Sequence, residues 1–279
     1  MPLEETSPAE KHRSGKARYV AVLEVTLVLS GTIAVVGLVA NSAWAGRQLA
    51  ELGNPFLEYL ALMSVPFALV VVTRRSLEEY GVSADRFREN VHGAFVCMVP
   101  YAAAHALLLM VSGRPALAAA VSAGLAMGVL MISARLLPSL EPAPRLLCAG
   151  LPVLILSHDA IPGAILAAGF HILFLGPGEE ILFRGYIQSR LNRAFGRPWS
   201  HRGVEVGWGL PITAALFGAF HVLNLPELYA GQVELQWGGG VAAAAWGLFF
   251  GYLREWSGSV VAPALVHGVP QGIASAVLG

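Results

Sequence analysis

Long apolar runs separated by short polar segments dominate the chain. The runs cover residues 19–40, 56–72, 91–112, 116–137, 146–157, 162–195, 209–223, 238–253 and 259–278. A helix needs about 20 predominantly apolar residues to cross a bilayer, and most of these runs approach that length. Run 146–157 is short and is also compatible with a re-entrant segment. The pattern predicts an all-α fold, a polytopic bundle of about eight transmembrane helices, give or take one, around a polar intramembrane cavity.

The composition narrows the class of protein further. Of the 279 residues 56% are hydrophobic and 13% are charged, with 18 Lys and Arg against 18 Asp and Glu. A soluble domain has about 25% charged residues. This composition excludes an ordinary soluble domain, a disordered chain and a nucleic-acid binder that relies on net charge. The lipid bilayer is therefore the expected surrounding, and no nucleic-acid partner is predicted.

The basic residues predict an orientation in the membrane. With the N-terminus inside, the inner segments are 1–18, 73–90, 134–145, 185–208 and 254–258, and they hold 15 of the 18 Lys and Arg. Cytosolic loops of membrane proteins carry such an excess. We therefore expect a cytosolic N-terminal tail at 1–18 and a single transmembrane domain at 19–279. The compact, Ala- and Gly-rich sequence is typical of bacteria, so the expected location is a bacterial cytoplasmic membrane.

Three clusters of polar residues interrupt the later apolar runs. An ionisable residue inside a membrane helix is a functional candidate by default, because its burial is costly. The clusters are Glu179-Glu180-x-x-x-Arg184, then Phe217-x-x-x-His221 with Asn224 one turn further, and finally His267-x-x-x-Gln271. Glu179, His221 and His267 each lie 11 or 12 residues from the inner, charged end of their run. At 1.5 Å per residue these three side chains are expected at one level, roughly 16–20 Å from the inner boundary.

A carboxylate beside two imidazoles indicates acid–base chemistry on a water molecule. Burial makes a carboxylate a better proton acceptor near neutral pH, so Glu179 is the candidate base. Glu180 points about 100° away around the helix, and Arg184 lies four residues beyond it, so these two form a predicted structural ion pair. No cofactor and no metal site are predicted, although a zinc site formed by one Glu and two His remains geometrically possible.

The three clusters, in this order, resemble the CAAX protease and bacteriocin-processing family. That family includes the type II CAAX prenyl endopeptidases and the bacterial Abi proteins. The resemblance covers about residues 160–278 and includes Gly185 after the first cluster and Ser259…Ala262-Pro263 before His267. The last motif of the family usually ends in Asn or Asp four residues after the His, whereas this chain has Gln271. The protease-like core is therefore expected at about 160–279.

The resemblance implies a helical intramembrane peptidase of the glutamate type, with a cavity open to the cytosolic side. Carried over to this chain, it implies that Glu179 and His221 activate water. It also implies that His267 and Gln271 stabilise the oxyanion. The expected substrate is a membrane-anchored peptide or protein, cut near a sorting tag, a leader peptide or a lipidated tail.

Other functions remain open from the sequence. A non-catalytic membrane scaffold or bacteriocin-immunity protein on the same fold is favoured only by Gln271. A zinc-dependent peptidase is a variant of the leading hypothesis. A proton-coupled transporter could use the same Glu and His residues, but the sequence shows no inverted repeat.

Overall fold

The computed structural model describes residues 8–83, 85–109, 115–139 and 161–278, and this part of the chain is almost entirely helical. Its helices are α1 (Pro8–Ala40), α2 (Ala43–Leu52), α3 (Phe56–Val72), α4 (Phe87–Leu109), α5 (Pro115–Leu136), α6 (Ile161–Phe170), α7 (Gly176–Glu180), α8 (Ser189–Phe195), α9 (Gly209–Val222), α10 (Leu225–Tyr229), α11 (Trp237–Ser257) and α12 (Val261–Leu278). Strands β1 (Trp199–His201) and β2 (Val204–Val206) form an antiparallel hairpin between α8 and α9. Short 3₁₀ turns occupy Glu78–Tyr80 and Leu137–Ser139.

The predicted all-α fold class is confirmed, and the apolar runs within the described residues lie in helices. Three helical segments are long and apolar enough to cross a membrane, namely Gly15–Ala40, Leu117–Leu136 and Pro162–Phe195. The apolar helices Phe56–Val72 and Gly209–Val222 are shorter. The run 146–157 lies outside the described residues, and the number of eight crossings stays a prediction.

The segment from α6 to α8 is one continuous helical element with two wide turns. Residues His171–Leu175 and Ile181–Gln188 are π-helical, and the short α7 lies between them. Pro177 has no backbone N–H, and its ring crowds the carbonyl four residues earlier. Widened turns of this kind occur frequently at functional sites, and here they flank Glu179 and Glu180.

Two seams of small residues hold the later helices together. In the first, α9 packs on α11, and a Cβ added to Gly218 would lie 2.7 Å from the backbone oxygen of Gly240. In the second, α12 packs on α6 and α7, and a Cβ added to Gly176 would lie 2.6 Å from the backbone oxygen of Ala264. Small residues let membrane helices approach closely, so these seams fix the distances between the helices that carry the polar clusters.

Polar bonds gather the predicted inner segments at one end of the molecule. Three of these bonds join Arg193 to Glu79 (2.7 Å), Arg197 to Glu255 (3.2 Å) and Arg202 to the backbone oxygen of Arg135 (3.2 Å). Four of the five predicted inner segments therefore lie together at one end of the bundle. The orientation of this end in the membrane stays a prediction.

Candidate active site

Glu179 lies at the meeting point of three helices. Its Oε2 atom is 3.9 Å from Nε2 of His267 on α12 and 4.0 Å from Nε2 of His221 on α9. The side chains of Glu179 and His267 are almost fully buried, whereas that of His221 is 35% exposed. The structure thus brings together the three residues that sequence spacing placed at one level, and the site is accessible from the His221 side.

The two oxygens of Glu179 have different surroundings. The hydroxyl of Tyr59, on α3, donates a hydrogen bond of 3.2 Å to Oε1. Oε2 is buried and accepts no hydrogen bond from the described residues. Buried polar atoms are nearly always hydrogen-bonded in native proteins. The unpaired Oε2 atom therefore marks the part of the site that is available to a reactant.

Both imidazoles are held through Nδ1 and present Nε2 to Glu179. Nδ1 of His221 is 2.9 Å from the backbone oxygen of Phe217, and Nδ1 of His267 is 3.0 Å from Oε1 of Glu180. A carbonyl oxygen and an ionised carboxylate only accept hydrogen bonds, so Nδ1 carries the proton in each ring. Neutral rings in this tautomer have an unprotonated Nε2 that can accept a proton.

Glu180 and Arg184 form the predicted ion pair. Nη1 of Arg184 donates to Oε1 of Glu180 at 3.0 Å, and both side chains are fully buried. Nη2 of Arg184 donates to the backbone oxygen of Gly247 at 3.4 Å. The hydrogen bond between Glu180 and His267 was not predicted from the sequence. This carboxylate therefore connects the ion pair to the imidazole next to Glu179.

Aromatic rings fill the space between Arg184 and the imidazoles. The guanidinium lies 4.2 Å from the ring centre of Phe217 and 5.3 Å from that of Phe250. Phe217 contacts the ring of His221 at 4.4 Å, and Phe250 stacks on the ring of His267 at 4.7 Å and 17°. Arg184 is thus shielded from lipid by cation–π contacts, and the same rings fix both imidazoles.

The remaining predicted site residues lie at the edge of this cluster. Gln271 is one helical turn beyond His267 on α12 and is half-buried, and its side chain is hydrogen-bonded to that of Tyr101 on α4. Asn224 lies between α9 and α10 with φ of 43°. In the described part of the chain it makes no hydrogen bond to the Glu179 cluster. The sequence analysis missed Tyr59, Tyr101 and Phe250, which are inconspicuous within apolar runs.

Within the described ranges, no group of three His, Cys, Asp or Glu residues is arranged to hold a metal ion.

A bundle of apolar helices with a buried carboxylate and two oriented imidazoles defines an intramembrane site for acid–base chemistry. Residues 161–272 match the family model described as type II CAAX prenyl endopeptidase Rce1-like. This match supports the resemblance of the segment to the CAAX protease family and, at family level, an intramembrane endopeptidase of the CAAX type. No curated protein and no solved structure matches the chain significantly. Tyr59 and Tyr101 lie outside the matched segment.

Proposed function

We propose that this protein hydrolyses a peptide bond near a membrane-anchored segment of its substrate, using a water molecule activated by Glu179 and His221. The observation that carries the proposal is the unpaired Oε2 of Glu179 about 4 Å from two imidazole nitrogens. The description of the family names prenylated substrates. For this chain the substrate is a sorting tag, a leader peptide or a lipidated tail.

The distances around Glu179 support water as the nucleophile. Separations of 3.9 and 4.0 Å are too long for direct hydrogen bonds and suit a single bridging water molecule. Such a water donates one hydrogen to Oε2 of Glu179 and the other to Nε2 of His221. Its lone pair is then directed at the carbonyl carbon of the substrate. Glu179 accepts the proton as the C–O bond forms.

His267 and Gln271 are placed to stabilise the negative charge that develops on the carbonyl oxygen. Because Nδ1 of His267 is bonded to Glu180, the ring donates through Nε2 only when it is an imidazolium. The amide of Gln271 supplies a second donor one turn away.

Collapse of the tetrahedral intermediate requires a proton on the leaving nitrogen. Glu179 carries the proton taken from water and can return it to that nitrogen as the C–N bond breaks. The second proton of the attacking water passes through Nε2 of His221 to the amine, so the products are a free carboxylate and a protonated amine.

The proposed topology places the N-terminus and the basic segments on the cytosolic side of a bacterial cytoplasmic membrane. The observation that supports it is the set of bonds from Arg193, Arg197 and Arg202, which joins the predicted inner segments at one end of the bundle. The proposed catalytic core is residues 160–279, which include the matched segment 161–272.

The function is tested by comparing protein termini in membranes that contain the wild-type chain, the Glu179→Ala variant or neither. We expect a set of new termini near membrane-anchored segments that requires Glu179. The purified wild-type protein should then cut the corresponding peptides in detergent. The same termini produced by folded Glu179→Ala protein would overturn the proposal. About one equivalent of zinc in active protein, with reversible loss of activity on chelation, would support the metallopeptidase instead.

A further inference from the structure

The ring of Tyr59 is fixed by packing, and its hydroxyl is hydrogen-bonded to Glu179. Its ring meets that of Phe170 edge to face at 5.2 Å and 89°. A Cβ added to Gly178 would lie only 3.2 Å from a ring carbon of Tyr59. The ring is therefore confined between α6 and the start of α7, beside Glu179. Its hydroxyl reaches Oε1 from a helix that lies outside the family segment.

We propose that Tyr59 is a positioning residue that holds the carboxylate of Glu179 in the orientation in which its unpaired oxygen faces His221 and His267. The two oxygens are chemically equivalent, so what the bond controls is the rotation of the carboxylate plane. The bond from Tyr59 occupies Oε1 and fixes the carboxylate plane, so Oε2 is the oxygen presented to water. This inference rests on the proposed role of Glu179 as general base.

The Tyr59 hydroxyl is the direct hydrogen-bond donor to Glu179 among the described residues. His221 and His267 lie nearby, with Nε2 of each ring about 4 Å from Oε2 of Glu179. Glu180 and Arg184 are paired with each other. Removing the Tyr59 hydroxyl should therefore release Oε1 and let the carboxylate rotate out of the plane in which Oε2 faces the two imidazoles.

The decisive variant is Tyr59→Phe, which keeps the ring between α6 and α7 and removes only the donor. We expect the carboxylate stretching bands of Glu179, assigned by infrared difference spectroscopy with Glu179→Gln as reference, to change in frequency because Oε1 loses its donor. This measurement needs no substrate. With a substrate recovered by the comparison of termini, kcat should fall about 10-fold or more with little change in KM.

Tyr229→Phe is the matched control. Tyr229 also donates through its hydroxyl, to the backbone oxygen of Ile33 at 2.9 Å, and it lies on α10, away from Glu179. We expect this variant to lower the melting temperature slightly and to leave the carboxylate bands of Glu179 unchanged. If Tyr59→Phe folds poorly, 3-fluorotyrosine in place of Tyr59 keeps the bond and strengthens the donor, and the carboxylate bands should then shift in the opposite direction.

The outcomes separate this inference from the proposed function. Unchanged carboxylate bands in Tyr59→Phe or in the fluorinated protein would overturn the positioning role, even if Glu179→Gln is inactive. An equal change in Tyr229→Phe would show a general effect on folding and would also overturn it. Full activity of Glu179→Gln would instead remove the proposed function, whatever the infrared bands show.

Discussion

Two glutamates within apolar runs of this protein have opposite surroundings. Glu24, on α1, is half-buried and accepts hydrogen bonds on both oxygens, from Arg75, from Tyr186 and from Arg190 at 3.0 Å. Glu179 is buried and accepts, among the described residues, one bond on one oxygen from a hydroxyl. Both residues interrupt apolar runs in the sequence, so residue type and sequence context alone do not distinguish them.

The two carboxylates differ in whether they have an oxygen without a hydrogen-bond donor. The oxygens of Glu24 are held by two guanidinium groups and a phenol, so it joins α1 to the segments after α3 and around α8. Oxygen Oε2 of Glu179 faces His221 and His267 at about 4 Å with no donor in contact. A buried acceptor without a partner costs free energy. An unpaired carboxylate oxygen beside two imidazoles indicates a group that can react, whereas a fully paired carboxylate indicates a structural role.

The sharpest test of this contrast exchanges the two glutamates for alanine. Glu179→Ala should reduce hydrolysis by about 10³–10⁴-fold, because general base catalysis is lost, and should leave the melting temperature near that of the wild type. Glu24→Ala should show the reverse, with a lower melting temperature and a normal rate per folded molecule. Cleavage and thermal melting measured in the same detergent check both expectations.

His221→Ala is the companion variant, since it removes the second proton acceptor without touching Glu179. It should also abolish cleavage while the protein stays folded. A folded Glu179→Ala or His221→Ala protein with full activity would contradict the contrast between the two glutamates.

Arg184→Ala tests the buried pair behind the active site. Because both members are fully buried, removing the guanidinium leaves Glu180 uncompensated, at a cost of about 3–5 kcal/mol in the free energy of unfolding. The double variant Glu180→Gln with Arg184→Gln should express better than Arg184→Ala. It should still be inactive, because Glu180 also holds His267. Equal yields of both folded proteins would count against the pairing.

Gln271→Leu tests the second oxyanion donor. A lost donor of this kind costs about 2.7–4 kcal/mol in the transition state, so turnover should fall about 100-fold with little change in KM. Gln271→Asn keeps the carboxamide and should retain or raise activity. Steady-state kinetics of the two purified variants make the comparison. A wild-type rate in Gln271→Leu would leave His267 to act alone or with a backbone group.

Gly268→Ala tests the seam that holds His267 against Glu179. An added Cβ would overlap the backbone carbonyl of His171, so the helices must move apart, at a cost of about 1–3 kcal/mol. Gly169→Ala is the matched control, because a Cβ there meets nothing within 4 Å. Thermal melting should separate the two variants. An equally stable Gly268→Ala protein would show that the seam tolerates expansion.

The apolar runs could be predicted because their length and hydropathy leave few alternatives to membrane helices. The short α2, α10 and the β1–β2 hairpin could not, since they are brief and lie in segments without a long periodic pattern. The start of α1 at Pro8 was also missed, because the charged residues before position 19 read as a tail.

Within the site, Glu179, His221 and His267 stood out because ionisable residues are rare against an apolar background. Tyr59 was missed because tyrosines commonly occur at the membrane interface. The bond from Glu180 to His267 depends on how α12 is rotated against α7. Spacing along one helix carries no information about that rotation.

The proposed catalytic residues belong to two groups of helices, each held together by one of the two glycine seams. Glu179 and His267 belong to the group of α6, α7 and α12, whereas His221 belongs to the group of α9 and α11. If one group of helices were displaced relative to the other, the distance from Glu179 to His221 would change and the distance from Glu179 to His267 would not. Arg184 spans the boundary through Gly247 and Phe217. The Arg184 side chain thereby links the two groups of helices, so the distance between Glu179 and His221 depends on how the two groups are aligned.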